Sequence, residues 1–274
     1  MDAYYSLGMH IVGVLAGMGM VIQAGAATVA WMSQVWGWRR RMTFLDKFGQ
    51  QMLGMSMIAF IGWVLGVVLV CALVYLRTPF EPREMVFHLP WPVLTWPLGG
   101  LGLGLFFSLL AARTWKPLRK WKGLQSIFLG IAWVGLWAGL YLGLNAFFLD
   151  CFTNAAQMPS WQVLWQAQVT PVWIVLAGQA LIVGLGGAGT LGLAYLFARR
   201  RIEDFGRDYY RFALPQAGRW AALILGQAFF LAWVVYEQVP AVWRLPQREM
   251  IALGLALGGM VLYGLLLLVF LRSA

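Results

Sequence analysis

Seven long apolar stretches, at about 8–36, 51–76, 92–112, 125–149, 171–198, 218–238 and 250–271, hold no Lys, Arg, Asp or Glu in their central turns. The hydrocarbon core of a bilayer takes about 20 such residues as one helix. Lipid offers no partner for backbone N–H and C=O groups, so a lone spanning segment must bond to itself, as a helix does. The pattern predicts an all-α membrane protein, a seven-transmembrane-helix bundle.

Charge gives this bundle an expected orientation. Arg39, Arg40, Arg41 and Lys47 follow the first stretch. Arg113, Lys116, Arg119, Lys120 and Lys122 follow the third. Arg199, Arg200, Arg201, Arg207, Arg211 and Arg219 follow the fifth, and Arg272 follows the seventh. The alternate connections hold only Arg77, Arg83, Arg244 and Arg248. Lys and Arg concentrate in cytoplasmic loops. The N-terminus is therefore expected outside and the C-terminus in the cytoplasm, in a bacterial cell (inner) membrane. The acidic residues of the inner loops, Asp46, Glu203, Asp204 and Asp208, are expected to pair with arginines there.

Composition supports the same class. Charged residues make up 11% of the chain, against about 25% in soluble domains. A net charge of +10 would suggest nucleic acid for a soluble chain, but here the basic loops account for it, and no nucleic acid is expected as a partner. The start, Met1-Asp2-Ala3-Tyr4-Tyr5, lacks a basic n-region, so the first stretch is expected to stay as a span. Cys71 and Cys151 form no CxxC; both are expected toward the outer side, where a disulfide is conceivable, and they read first as two free apolar-face cysteines.

An internal repeat is legible. Arg39–Arg41 and Arg199–Arg201 end corresponding stretches, followed by LDKFG at 45–49 and EDFG at 203–206. Tyr75 and Pro79 match Tyr236 and Pro240, and Arg83-Glu84-Met85 matches Arg248-Glu249-Met250. This predicts a 3+1+3 parallel pseudo-repeat within a single transmembrane domain. Residues 1–113 form one three-helix repeat, 114–170 a linker helix with an outer interfacial segment, and 171–274 the second repeat. In the linker, Ser160 reads as the N-cap of a short helix lying in the outer interface. Small-xxx-small pairs, Gly13/Gly17, Gly100/Gly104 and Gly139/Gly143, and the run Gly184, Gly186, Gly187, Gly189 mark close helix packing.

Few residues offer chemistry. The two histidines, His10 and His88, are both expected near the outer interface, on or beside neighbouring spans. Imidazole is a common ligand for metals and haem iron, so the pair could hold one b-type haem or one metal ion, with Met9 or Met85 as substitute ligands. The plainer account leaves His10 in the interface, bonded to water or a lipid headgroup, and His88 in a loop. Methionines crowd the first two spans and read as core filler. Gln23, Ser56, Ser108, Asn145, Gln179, Thr190 and Gln227 are the expected polar groups of the interior. Glu237, with Glu81 and Glu84, could exchange protons at an outer quinone site. No mid-membrane ionisable group is present to carry an ion, which argues against pumps and ion-coupled transporters, and no hydrolase or nucleotide motif occurs.

His10, Arg39–Arg41 and Lys47-Phe48-Gly49, with the segments GW at 62–63 and WVVY at 233–236, carry a partial likeness. The first two spans resemble the start of the large subunit of cytochrome bd-type quinol oxidases. The resemblance implies a haem ligand at His10 and a quinol as reductant. The family's Gly-Arg-Gln-Pro-Trp block and its further haem-ligand histidine are missing, which implies a reduced relative holding one haem at most.

The sequence thus points to an integral membrane subunit of a bacterial respiratory complex, embedded in the lipid bilayer and joined to other membrane or peripheral redox subunits. It would hold a quinone or a single haem b near the outer face. A small-solute or metal transporter of two three-helix repeats, or a cofactor-free membrane scaffold, are the alternatives.

Overall fold

The computed structural model describes residues 2–77, 91–152, 171–200, 206–227 and 258–269, with the side chains of the first helix described from Gly17 onward. The helices are α1 (Asp2–Arg40), α2 (Thr43–Arg77), α3 (Trp91–Thr114), α4 (Lys122–Phe152), α5 (Pro171–Arg199) and α6 (Arg207–Ala221). A shorter apolar helix, α7, spans Gly258–Val269. Among the described residues there is no strand. Four segments are long and apolar enough to cross a membrane: Thr43–Gly66, Thr95–Thr114, Lys122–Asn145 and Ala177–Arg199. They fall on the second to fifth stretches legible in the sequence.

Helix α1 is the hub, packed against α2, α4 and α5, while α3 lies on α4 and α6 on α5. Its suitability for that place lies in the segment Ala24-Gly25-Ala26-Ala27, with Ala30 a turn on; the alanines are fully buried. Small side chains let three neighbours come close where lipid supplies no hydrophobic drive. Helix α5 does the same with its glycine run, using two faces. A Cβ on Gly187 would lie 2.8 Å from Ile22 of α1, and one on Gly186 would lie 2.7 Å from the backbone N of Ile224, just after α6. Gly184 and Gly187, three residues apart, face α1; Gly186 and Gly189 face the end of α6.

The α1–α2 connection is a two-residue turn with a defined geometry. Arg41 adopts a left-handed φ of 54°. The N–H of Met42 donates to the Gly37 carbonyl (2.8 Å) and that of Arg41 to the Trp38 carbonyl (3.3 Å). This pair of bonds is a Schellman motif, with an arginine where glycine is usual. Gly37 is needed for a second reason, since a Cβ there would sit 3.0 Å from the backbone N of Asp46.

The seam between α1 and α4 is layered. Gln34 donates to Gln125 (2.8 Å), Trp31 stacks on Trp133 with centroids 4.9 Å apart, and the Trp137 indole donates to the Thr28 hydroxyl (2.9 Å). Along α1 the partners descend from 34 to 28 while along α4 they rise from 125 to 137, so the helices run antiparallel. Met52 and Met55 are buried in the core shared by α1, α2, α5 and α6, the filler role expected of them.

Helix α6 departs from the expectation. Residues 207–217 read as inner loop, with a span opening at 218. The helix instead begins at Arg207, after Gly206 with φ 82°. Tyr209, Tyr210, Ala213, Leu214 and Ala217 are buried, while Arg207, Arg211 and Arg219 are exposed. The physical reason is an apolar stripe at helical spacing, hidden by the cations of the opposite face. The two matched Phe-Gly pairs also sit in different settings. Gly49 is inside α2, where a Cβ would lie 2.9 Å from the Ala30 carbonyl, whereas Gly206 precedes α6 with nothing within 4 Å among the described residues.

Candidate functional site

A groove of about 810 Å³ runs along the outward face of the α3–α4 pair. Its origin is the closeness of the two helices. A Cβ on Gly104 would lie 2.6 Å from the Leu136 backbone N, and one on Gly139 would lie 2.6 Å from the Leu101 backbone N. Gly100 and Gly135 meet the opposite backbone in the same way. The glycine face expected at Gly100 and Gly104 is present, and its partner on α4 is Gly135/Gly139, one turn away from the expected Gly139/Gly143. Gly17 of α1 meets nothing within 4 Å among the described residues.

With the helices in backbone contact, the groove walls come from side chains beside the contact line. Leu103 and Trp96 stand on α3, and Ile127, Ile131 and Val134 on α4, with Gly99 and Gly130 leaving the space between them open. Trp31 closes Gly130 from behind, 3.5 Å from where a Cβ would be. The lining is almost wholly apolar, with Thr95 and Trp96 bringing its polar side-chain atoms at one end. Trp96, Ile127 and Val134 are each more than half exposed, so the groove opens sideways. A cleft of this size and lining suits a long apolar molecule with a small polar head.

The second cluster lies at the basic end of the bundle. Lys122 at the start of α4 bridges to Asp46 in the first turn of α2 (2.7 Å). It also donates to Gln125 (3.2 Å) and lies over the Trp115 ring, 5.2 Å from its centroid. The partner of Asp46 is thus a lysine, where an arginine was expected. Gln34 and Gln125 are buried, with Gln34 Oε1 and Gln125 Nε2 left without a partner among the described residues. Sequence reading missed this pair. Its only signal was a glutamine near the basic end of each of two otherwise apolar helices.

A third group joins α5, α6 and α7. The Thr190 hydroxyl donates to the Gly186 carbonyl (2.8 Å), the Tyr263 hydroxyl to the Ala221 carbonyl (3.0 Å), and the two hydroxyls meet. Gln227 donates to the Gln179 carbonyl (3.3 Å), and Gln23, Ser56, Ser108 and Asn145 are buried as expected.

Of the residues singled out for a cofactor, Met9 and His10 fall in the first turns of α1, before its side chains are described. Met85, His88 and Glu237 lie outside the described residues, as do Ser160, Glu203 and Asp204. The side chains of Cys71 and Cys151 likewise lie outside them. Among the described residues, no three His, Cys, Asp or Glu side chains gather as a metal site. Comparison with protein-family models, curated proteins and solved structures finds no match to this chain.

Proposed function

We propose that this chain is an integral membrane subunit of a bacterial redox complex, and that the α3–α4 groove receives a quinone from the bilayer. The observation that carries the reading is the groove itself: apolar along its length, open sideways, and ended by Thr95 and Trp96. A quinone has the matching chemistry, an isoprenoid tail and a ring whose carbonyls accept hydrogen bonds. Under the sequence-based topology, Thr95 and Trp96 sit toward the outer face, where Glu237 would exchange protons with solvent. The likeness of the first two spans to the large subunit of cytochrome bd-type quinol oxidases supports the same class, with one haem b held by His10 and His88.

Two measurements on detergent-purified protein test the two parts. Organic extraction and chromatography should recover bound quinone, and Gly99→Trp, which fills the groove at a position with open space around it, should remove it. Equal quinone in both proteins overturns the groove assignment. A dithionite-reduced minus oxidised spectrum with a pyridine haemochrome assay should show one b-type haem per chain, lost in His10→Ala. A flat spectrum overturns the haem and leaves a quinone subunit without haem.

A further inference from the structure

The basic end of the bundle is more than a record of orientation. The Asp46–Lys122 bridge (2.7 Å) ties the start of α2 to the start of α4, and so draws two basic segments together. One is the end of α1 and its turn, Arg39, Arg40 and Arg41. The other is the α3–α4 connection, with Lys116 just before the 3₁₀ turn Pro117–Lys120 and Lys120 at its end. All five side chains are exposed. Asp46, in the first turn of α2, is committed to Lys122.

Exposed indoles stand beside these cations. Trp38 is 56% exposed and immediately precedes Arg39; Trp121 is 69% exposed and immediately follows Lys120. Tryptophan collects at the headgroup level of a bilayer, where an apolar ring and a polar N–H are both satisfied. Cations one residue beyond it lie at the depth of lipid phosphates. An acidic soluble protein would match the charge but leave the two indoles unexplained.

We infer that this corner binds anionic phospholipid headgroups, through Arg39, Arg40, Arg41, Lys116 and Lys120 with Trp38 and Trp121 at the glycerol level. The inference is independent of the quinone reading, since it uses neither the groove nor a cofactor.

Native mass spectrometry of the full chain, released from micelles doped with equal phosphatidylglycerol and phosphatidylcholine of matched acyl chains, reads the preference directly. Wild type should retain phosphatidylglycerol over phosphatidylcholine, and the preference should fall roughly tenfold or more in R39Q/R40Q/R41Q/K116Q/K120Q, given the contribution of each cation near an anionic surface. Equal retention of the two lipids by wild type overturns the inference, and so does an undiminished preference in the variant. Displacement of phosphatidylglycerol by inorganic phosphate at equal concentration would mean a soluble-anion site, and an acidic protein bound without any lipid preference would mean a protein dock; either overturns it. Because these cations also orient the chain, the variant can fail to insert. Wild type alone then decides, since its preference should shrink between low and high salt as exposed charges are screened, and a salt-independent preference overturns the assignment.

Discussion

The close approach of α3 and α4 makes a quantitative prediction about two neighbouring glycines. In Gly104→Ala the new methyl would lie 2.6 Å from both the Leu136 backbone N and its Cγ, and 3.0 Å from the Ala132 carbonyl. Carbon contacts are comfortable at about 3.5–4.0 Å, so the helices must part by roughly 1 Å along a line where Gly100, Gly135 and Gly139 also touch backbone. Overpacking of this kind costs about 1–3 kcal/mol, and in lipid no hydrophobic gain offsets the lost packing. Gly102→Ala, on the same helix, meets nothing within 4 Å. Both substitutions gain the same helix propensity, up to about 1 kcal/mol, so it cancels between them. The two variants should therefore differ by about 1–3 kcal/mol, or roughly 2–12 °C in Tm at the 2–4 °C per kcal/mol usual for large domains. Thermal unfolding in one detergent, followed by intrinsic tryptophan fluorescence, measures the gap. Equal Tm values for G104A and G102A would refute the backbone contact and with it the origin of the groove.

Three further predictions follow from the same geometry. Arg41→Gly removes a side chain from a left-handed residue (φ 54°) and should raise stability by up to about 1 kcal/mol; a loss on thermal unfolding would contradict the Schellman turn. Asp46→Asn strands Lys122, and since the paired side chains are 25% and 17% exposed the cost should be about 1–3 kcal/mol, below that of a fully buried pair; adding Lys122→Met should recover part of it. Gln34→Leu or Gln125→Leu alone should cost about 1–3 kcal/mol by leaving a buried amide unpartnered, while the double variant should come close to wild type; strict additivity in a double-mutant cycle would show that the two amides do not interact.

What the sequence disclosed and what it hid divide along physical lines. Apolar length is a local property, so the spans within α3 and α4 were readable to within four residues. The span within α2, Thr43–Gly66, starts and ends earlier than the stretch at 51–76, and that within α5 starts at Ala177 and not at 171. The start of α6 was not readable, because Arg207, Arg211 and Arg219 break any long apolar window. The signal was there at a different period: Tyr210, Ala213, Leu214, Ala217 and Ala221 fall at spacings of three and four and are all buried, a stripe that a helical-period scan finds. Glycine faces were readable one helix at a time, but their register was not. Gly104 meets Leu136 and Gly139 meets Leu101, a pairing set by where α3 and α4 cross and not by the motif on either. The groove shares this limit, since Thr95 and Trp96 join Ile131 and Val134 only after the helices have docked.

The layering of the α1–α4 seam gives the polar residues a physical order. A charge at the bilayer centre costs about 3 kcal/mol or more, and the cost falls toward the interface. The ion pair of this seam, Asp46–Lys122, stands at the rim, partly exposed. Three residues inward from Lys122 along α4 the groups are neutral amides, Gln34 and Gln125, buried and bonded to each other. Deeper still come stacked indoles, and then a hydroxyl, Thr28, which serves the Trp137 indole while returning its own proton to the Ala24 carbonyl (2.8 Å). Each step inward exchanges a stronger polar group for a weaker one. Such a seam can be pinned at one end and tightly packed along its length without placing a charge in lipid. It follows that a glutamate at Gln125 would be tolerated only with Lys122 intact, whereas the same change at Thr28, some 9 Å deeper than Gln34 by helix rise, would have no cation in reach. Gln125→Glu should accumulate in membranes at near wild-type levels and Thr28→Glu should not. Equal accumulation of the two would mean that polarity along this seam is not ordered by depth.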